Sequence, residues 1–174
     1  MSIQRVVLLV FSGWVLLLQN DLSWGQTAKG SAPTVSAGDR KFIVDVAQSG
    51  LHEVKLAMLG AEHGANNDLR VYAQKVLDDH TLSNTEVEAL ARLKGIAFPD
   101  PTKTDDPAER LSRLTGIEFD REFIRQEIAD HQKNLAEFQK EDQSVGADPD
   151  IRNFAHTVLP KVRAHLDQAK ALKP

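Results

Sequence analysis

Four stretches of this chain repeat apolar residues at helical spacing, and nowhere do β-branched residues alternate with polar ones over a strand-like length. The first stretch follows Ser36-Ala-Gly-Asp39, which reads as a capping box and places a helix start just before Phe42. Its apolar stripe is Phe42, Ile43, Val46, Gly50, Val54, Ala57 and Ala61, and it runs to about His63, where Gly64 is expected to supply a left-handed stop. Asn66, Asn67 and Asp68 offer caps for a second helix that reaches Lys94 and ends at Gly95. The connection between the two is very short, which makes them antiparallel neighbours.

Residues 95–115 carry Pro99, Pro101 and Pro107, with Asp105 and Asp106 as caps for a short helical piece over 108–114. This is expected to be a crossover, because neither half of the chain could bury its apolar stripe alone. Thr115-Gly-Ile-Glu118 reads as a second capping box, opening a third helix that extends to about Asp142. Asp148-Pro149 pairs a cap with proline at the first helical position, and a fourth helix follows to about Lys170, with Pro160 expected to kink it. Four long helices, two tight hairpins and one long crossover between the second and third helix predict an all-α, antiparallel four-helix bundle of the ferritin-like kind.

A helix turns about 100° per residue, so each polar side chain can be assigned a face. Glu53 falls inside the stripe of the first helix, whereas His52, Lys55 and Glu62 project outward. His80 sits at the centre of the second stripe; Asp79, its neighbour, lies on the flank and reads as an exposed or cap-bridging acid. The third helix places Asp120, Glu127 and His131 among Phe119, Phe123, Ile124, Leu135 and Phe138, and the fourth places His165 on its buried side and His156 away from it. Glu53 and His80 lie similar distances from the first hairpin turn, as do His131 and His165 from the second, so all four are expected in one central layer. Glu127, about 6 Å along the axis from His131, could join them. Asp120 lies roughly 16 Å from His131 by the same rise and reads as a first-turn acid favoured by the helix dipole.

Composition narrows the chemistry. The chain has 174 residues and no cysteine, which removes disulfides, iron–sulfur clusters, thiol catalysis and Cys-x-x-Cys-His haem attachment. The formal net charge is −4, with acids and bases interspersed and no basic–aromatic stripe, so no nucleic-acid partner is expected. No glycine-flanked serine elbow or phosphate-cradling glycine loop is present, so no catalytic residue is assigned. At the N-terminus, Arg5 precedes an apolar run from Val6 to Leu18 and small residues at Ser23 and Gly25. That pattern predicts a signal peptide over residues 1–25, a tether over 26–35 and a folded domain over 36–174, with a periplasmic or otherwise extracytoplasmic location. The run is too short for a stable membrane span, and the domain is expected as a monomer or homo-oligomer.

Three imidazoles and a carboxylate converging in a bundle suit a first-row transition metal such as iron, manganese, zinc or copper. The expected ligands are Glu53, His80, His131 and His165, with Glu127 as a further candidate. The position three before His80 is Leu77 and three before His165 is Val162, so the paired Glu-x-x-His signature of di-iron carboxylate bundles is broken. The competing reading is a closed polar network in which Glu53 accepts from His80 and the other histidines bond to backbone or water, in a structural or interaction protein.

Glu53, Val76-Leu-Asp-Asp-His80, Phe119-Asp-Arg-Glu-Phe123 followed by His131, and Leu159-Pro160 followed by His165 together resemble the exported bacterial family known as domain of unknown function 4142. The resemblance covers nearly all of residues 38–172. It implies a ferritin-like helical fold and an extracytoplasmic location, and it carries no activity. It also implies an apolar residue in most members where this chain has Glu127.

Overall fold

The helices begin where the chain supplies side chains to cap them. In a computed structural model, which describes residues 35–103 and 108–174, Ser36 accepts from Asp39 N–H at 3.0 Å and starts α1, Ala37–His63. Asn66 accepts from Asp68 N–H and starts α2, Asn67–Leu93. The crossover contains one 3-10 turn, Pro101–Lys103, and a single helical turn, α3, Ala108–Leu111, which is shorter than expected. Then come α4, Gly116–Asp142, and α5, Pro149–Ala171, the latter capped by Asp148 and running through Pro160 without a break. Among the described residues no strand forms. The expected caps Asp105 and Asp106, the signal peptide and all but the end of the tether lie outside the described residues.

Two local expectations are corrected. Gly64 has φ −55°, so α1 does not end in a left-handed residue. Glycine is needed there for space: a Cβ would lie 2.7 Å from the Gly60 carbonyl oxygen and 2.6 Å from Leu69. Thr115 occupies the cap position of α4 but its side chain makes no capping hydrogen bond. The positive φ values belong to Gly95 (64°) and Gly116 (59°), where only glycine adopts that backbone at no steric cost.

Cross-helix contacts define the topology. Phe42 near the start of α1 meets Phe138 near the end of α4, with ring centroids 5.2 Å apart, and His63 at the end of α1 meets Phe119 at the start of α4. Hence α1 and α4 are antiparallel. Lys94, just past α2, bonds Asp150 at the start of α5 at 2.6 Å, so α2 and α5 are antiparallel as well. The crossover therefore carries the chain along the bundle, so that α2 and α4 run parallel. This is the ferritin-like arrangement.

The core is in two parts. One apolar cluster holds Phe42, Val46, Val87, Phe138, Phe154 and Val158; the other holds Leu56, Leu69, Val76, Phe119, Phe123 and Ala169. Between the two, every long helix contributes at least one ionisable residue: Glu53 in α1, Asp79 and His80 in α2, Glu127 and His131 in α4, and His165 in α5. A polar layer thus divides an otherwise oily interior.

Candidate metal centre

Helical periodicity turns Glu127 and His131 to the same inward face of α4, four residues apart. His131 is fully buried, and its Nδ1 donates to the Glu127 backbone carbonyl at 2.9 Å. A carbonyl only accepts, so Nδ1 carries the proton and Nε2 is left with a lone pair. His165, also buried, is held in the opposite sense. Its Nε2 donates to Asp79 Oδ2 at 2.8 Å, which leaves the lone pair on Nδ1.

Those two lone-pair nitrogens, His131 Nε2 and His165 Nδ1, face each other 3.3 Å apart. The His80 ring completes a triangle, with its centroid 5.6 Å from that of His131 and 5.7 Å from that of His165. One ligand nitrogen from each of the three histidines lies within 4.8 Å of the others. His80 is only half-buried. A cavity of about 30 Å³ lies against His80 and His165, bordered by the part-exposed Ser83, Asn84 and Lys161. That exceeds the ~10–15 Å³ one water needs, so a fourth, exogenous ligand fits.

Burial disfavours charge on all three rings. It lowers the His131 pKa to about 4 and moves His80 well below its ordinary value, in both cases helped by the neighbouring imidazoles. Burial also lowers His165, against the opposing pull of Asp79. Against the cost of its own burial, Asp79 is held below the usual carboxylate range by hydrogen bonds from Lys75 and His165. Lys75 lies 2.5 Å from the same Asp79 oxygen. Each of the three imidazoles is therefore a neutral donor of the kind a metal needs.

The structure divides the expected four-ligand set. His80, His131 and His165 converge, but Glu53 falls outside that trio and groups instead with Glu127 and His131. Glu53 Oε1 is 3.9 Å from His131 Nδ1, the outer side of the ring, because α1 lies beside α4 and diagonally across from α5. The Glu127 carboxylate is on this side too, with Oε2 3.4 Å from Nδ1 and accepting from the Tyr72 hydroxyl at 2.7 Å. Asp79 is a second correction: expected as an exposed or cap-bridging acid, it instead accepts from His165 and orients that ring. Its position on the flank of the α2 stripe was legible, but the flank faces α5 only once the bundle is assembled. Asp120 is buried and accepts from Ala65 and Asn66 N–H, both at 2.8 Å, so it ties down the α1–α2 turn and takes no part in the central layer.

A family profile described as "Domain of unknown function (DUF4142)" matches residues 25–172. The chain belongs to the DUF4142 family. This DUF4142 bundle is similar in fold to a DUF305 fragment from Deinococcus radiodurans, with TM-score 0.69 and 19% identity over 80% of this chain and 97% of that one. It is also similar to CopM in its Cu(I)-bound form, with TM-score 0.65 and 19% identity over 76% of this chain and 93% of that one. CopM in an Ag-bound form aligns with TM-score 0.62 and 18% identity, covering 76% and 92% of the two chains. No protein with a curated description matches the DUF4142 chain. No helix among its described residues is long and apolar enough to cross a membrane.

Proposed function

We propose that this protein binds a transition-metal ion between His80, His131 and His165, outside the cytoplasm. The observation that carries the reading is the pair of lone-pair nitrogens 3.3 Å apart, with their opposite nitrogens committed to acceptor-only oxygens. Two acceptors so placed repel unless a cation stands between them. A proton would serve, but burial holds His131 at about 4 and lowers His165 as well, so an imidazolium on either ring is disfavoured at neutral pH. A tetrahedral ion with metal–nitrogen bonds of about 2.0–2.1 Å keeps its ligand nitrogens ~3.3–3.4 Å apart, which matches the observed separation.

An all-imidazole set suits copper, zinc and iron better than manganese. The fold shared with Cu(I)-bound CopM supports copper as the first ion to test. Asp79 and the Glu127 carbonyl would act as the outer partners that orient ligating histidines. The role is read as binding rather than catalysis, and the extracytoplasmic location rests on the signal-peptide pattern of residues 1–25.

The test is titration of chelator-stripped protein with Cu(I), and separately with Zn(II), counting bound equivalents. One ion per chain at this site, lost in His131→Ala and His165→Ala, is the expected result. Uptake unaltered in both variants would rule the site out. A specific observation favours a second reading: Lys75, Asp79 and His165 form one hydrogen-bonded chain, and His131 bonds the Glu127 carbonyl, so each ring is held by the protein and could organise the core without any ion. Protein that takes up neither ion, and whose melting temperature is unmoved by them, would establish that structural role.

A further inference from the structure

The polar layer has a second half that the three-histidine site does not use. On the Nδ1 side of His131, Glu53 and Glu127 are both fully buried. Neither Glu53 oxygen meets a hydrogen-bond donor, and Glu127 Oε1 meets none. Among the described residues the donor to this pair is the Tyr72 hydroxyl, which fixes Glu127 Oε2 and so sets the orientation of the carboxyl group. One oxygen of each carboxyl group and His131 Nδ1 lie within 4.8 Å of one another. Two carboxylates cannot both remain charged and unpartnered in an apolar interior: they must take up protons or share a cation.

We propose that Glu53 and Glu127 form a second cation site, separate from the three-histidine site, which takes a divalent ion that prefers oxygen ligands, such as Mn2+. The charge balances, since two carboxylates and one divalent ion make a neutral unit. The donor type differs from the histidine trio, and hard oxygen donors select a different class of metal from an imidazole set. Three unpartnered oxygens give the ion a chelating carboxylate from α1 and a monodentate one from α4, while Tyr72 of α2 supports the latter from behind. His131 stands between the two centres: it presents its lone pair to one and its N–H side to the other. The inference rests on the carboxyl groups and holds whether or not the histidines bind copper.

The experiment uses the chelator-stripped full chain titrated with Mn2+, with free ion counted by its electron paramagnetic resonance signal, and in parallel with Cu(I). The expected pattern is reciprocal. Glu53→Gln/Glu127→Gln loses bound Mn2+ but keeps Cu(I), and His80→Ala/His165→Ala keeps Mn2+ but loses Cu(I). Wild-type protein that leaves all Mn2+ free overturns the proposal. So does Mn2+ affinity in the glutamine double variant within about tenfold of wild type, the lower bound for disturbing a metal's surroundings. If the double variant fails to fold, the single, neutral and nearly isosteric Glu53→Gln change reads the same loss. Loss of Cu(I) binding alone would bear on the histidine reading and not on this one.

Discussion

Asp79 and His80 are consecutive, yet one serves as a prop and the other as a candidate ligand. Asp79 accepts from His165 Nε2 and from Lys75, which commits the inner nitrogen of His165 to the centre. Asp79→Ala should therefore weaken Cu(I) or Zn(II) binding about 10–100-fold while leaving the helices intact, as measured by chelator competition and circular dichroism. The buried groups also set a pH profile for metal-free protein. The three histidines have folded pKa values below 6.5, with His131 at about 4. As pH falls below 6.5 the unfolded chain binds protons that the folded chain refuses, and stability is lost. The carboxyls act with opposite sign. Burial raises Glu127 to about 8 and also raises Glu53, so the folded chain holds protons that the unfolded chain releases, and stability is lost as pH rises toward 8. Glu141, raised to about 7 by burial and by Asp39, adds to the carboxyl side, so the two trends oppose each other below about pH 6.5 and only the carboxyls act above it. Urea unfolding should therefore show stability falling from pH 7 to 8, and a flat profile over that interval would mean that the carboxyls are solvated. At this scale Glu53, Glu127, His131 and His165 were legible, because a 100° turn per residue suffices to place them inward. The tautomers were not, since they depend on which oxygens lie across the interface.

Each helix end in this molecule answers to a different neighbour. Ser36, Asn66 and Asp148 cap their own helices through local hydrogen bonds, which is why those starts could be read from short motifs. The α1–α2 turn is held from a distance, by the Asp120 carboxylate of α4. Asp120→Ala would leave the Ala65 and Asn66 N–H groups without that acceptor and should cost about 2–3 kcal/mol. Gly60 marks where α1 comes closest to its neighbours: a Cβ there would lie 2.4 Å from Phe123 Cε2 and 2.8 Å from the Ala73 Cβ. Gly60→Ala should destabilise by about 1–3 kcal/mol through overpacking, although alanine is the better helix former. In urea, both variants should lower the midpoint without changing the slope. Gly64 and Thr115 show the limit of reading ends locally. The first is a glycine for close packing and not for a left-handed turn, and the second occupies a cap position without bonding as one.

For the molecule as a whole, the polar layer lies between two apolar clusters, so an ion bound by the three histidines would link α2, α4 and α5. Folding and binding are then coupled. Free Cu(I) at about 100 times its Kd should add ~2.7 kcal/mol of stability and raise the melting temperature by roughly 5–10 °C. His131→Ala should abolish that shift. The amino-acid sequence by itself determined the helices, their apolar faces and the depth of the ionisable residues, because periodicity and rise are properties of a single helix. It determined the hairpins too, since short connections leave no choice. Only the tertiary structure decided that the crossover runs the length of the bundle and sets α4 antiparallel to α1. That arrangement brought Asp79 to His165 and turned Glu53 to the far side of His131. One expected cluster became two, because which faces meet depends on how hairpins dock, and docking is settled by packing between residues far apart in the chain.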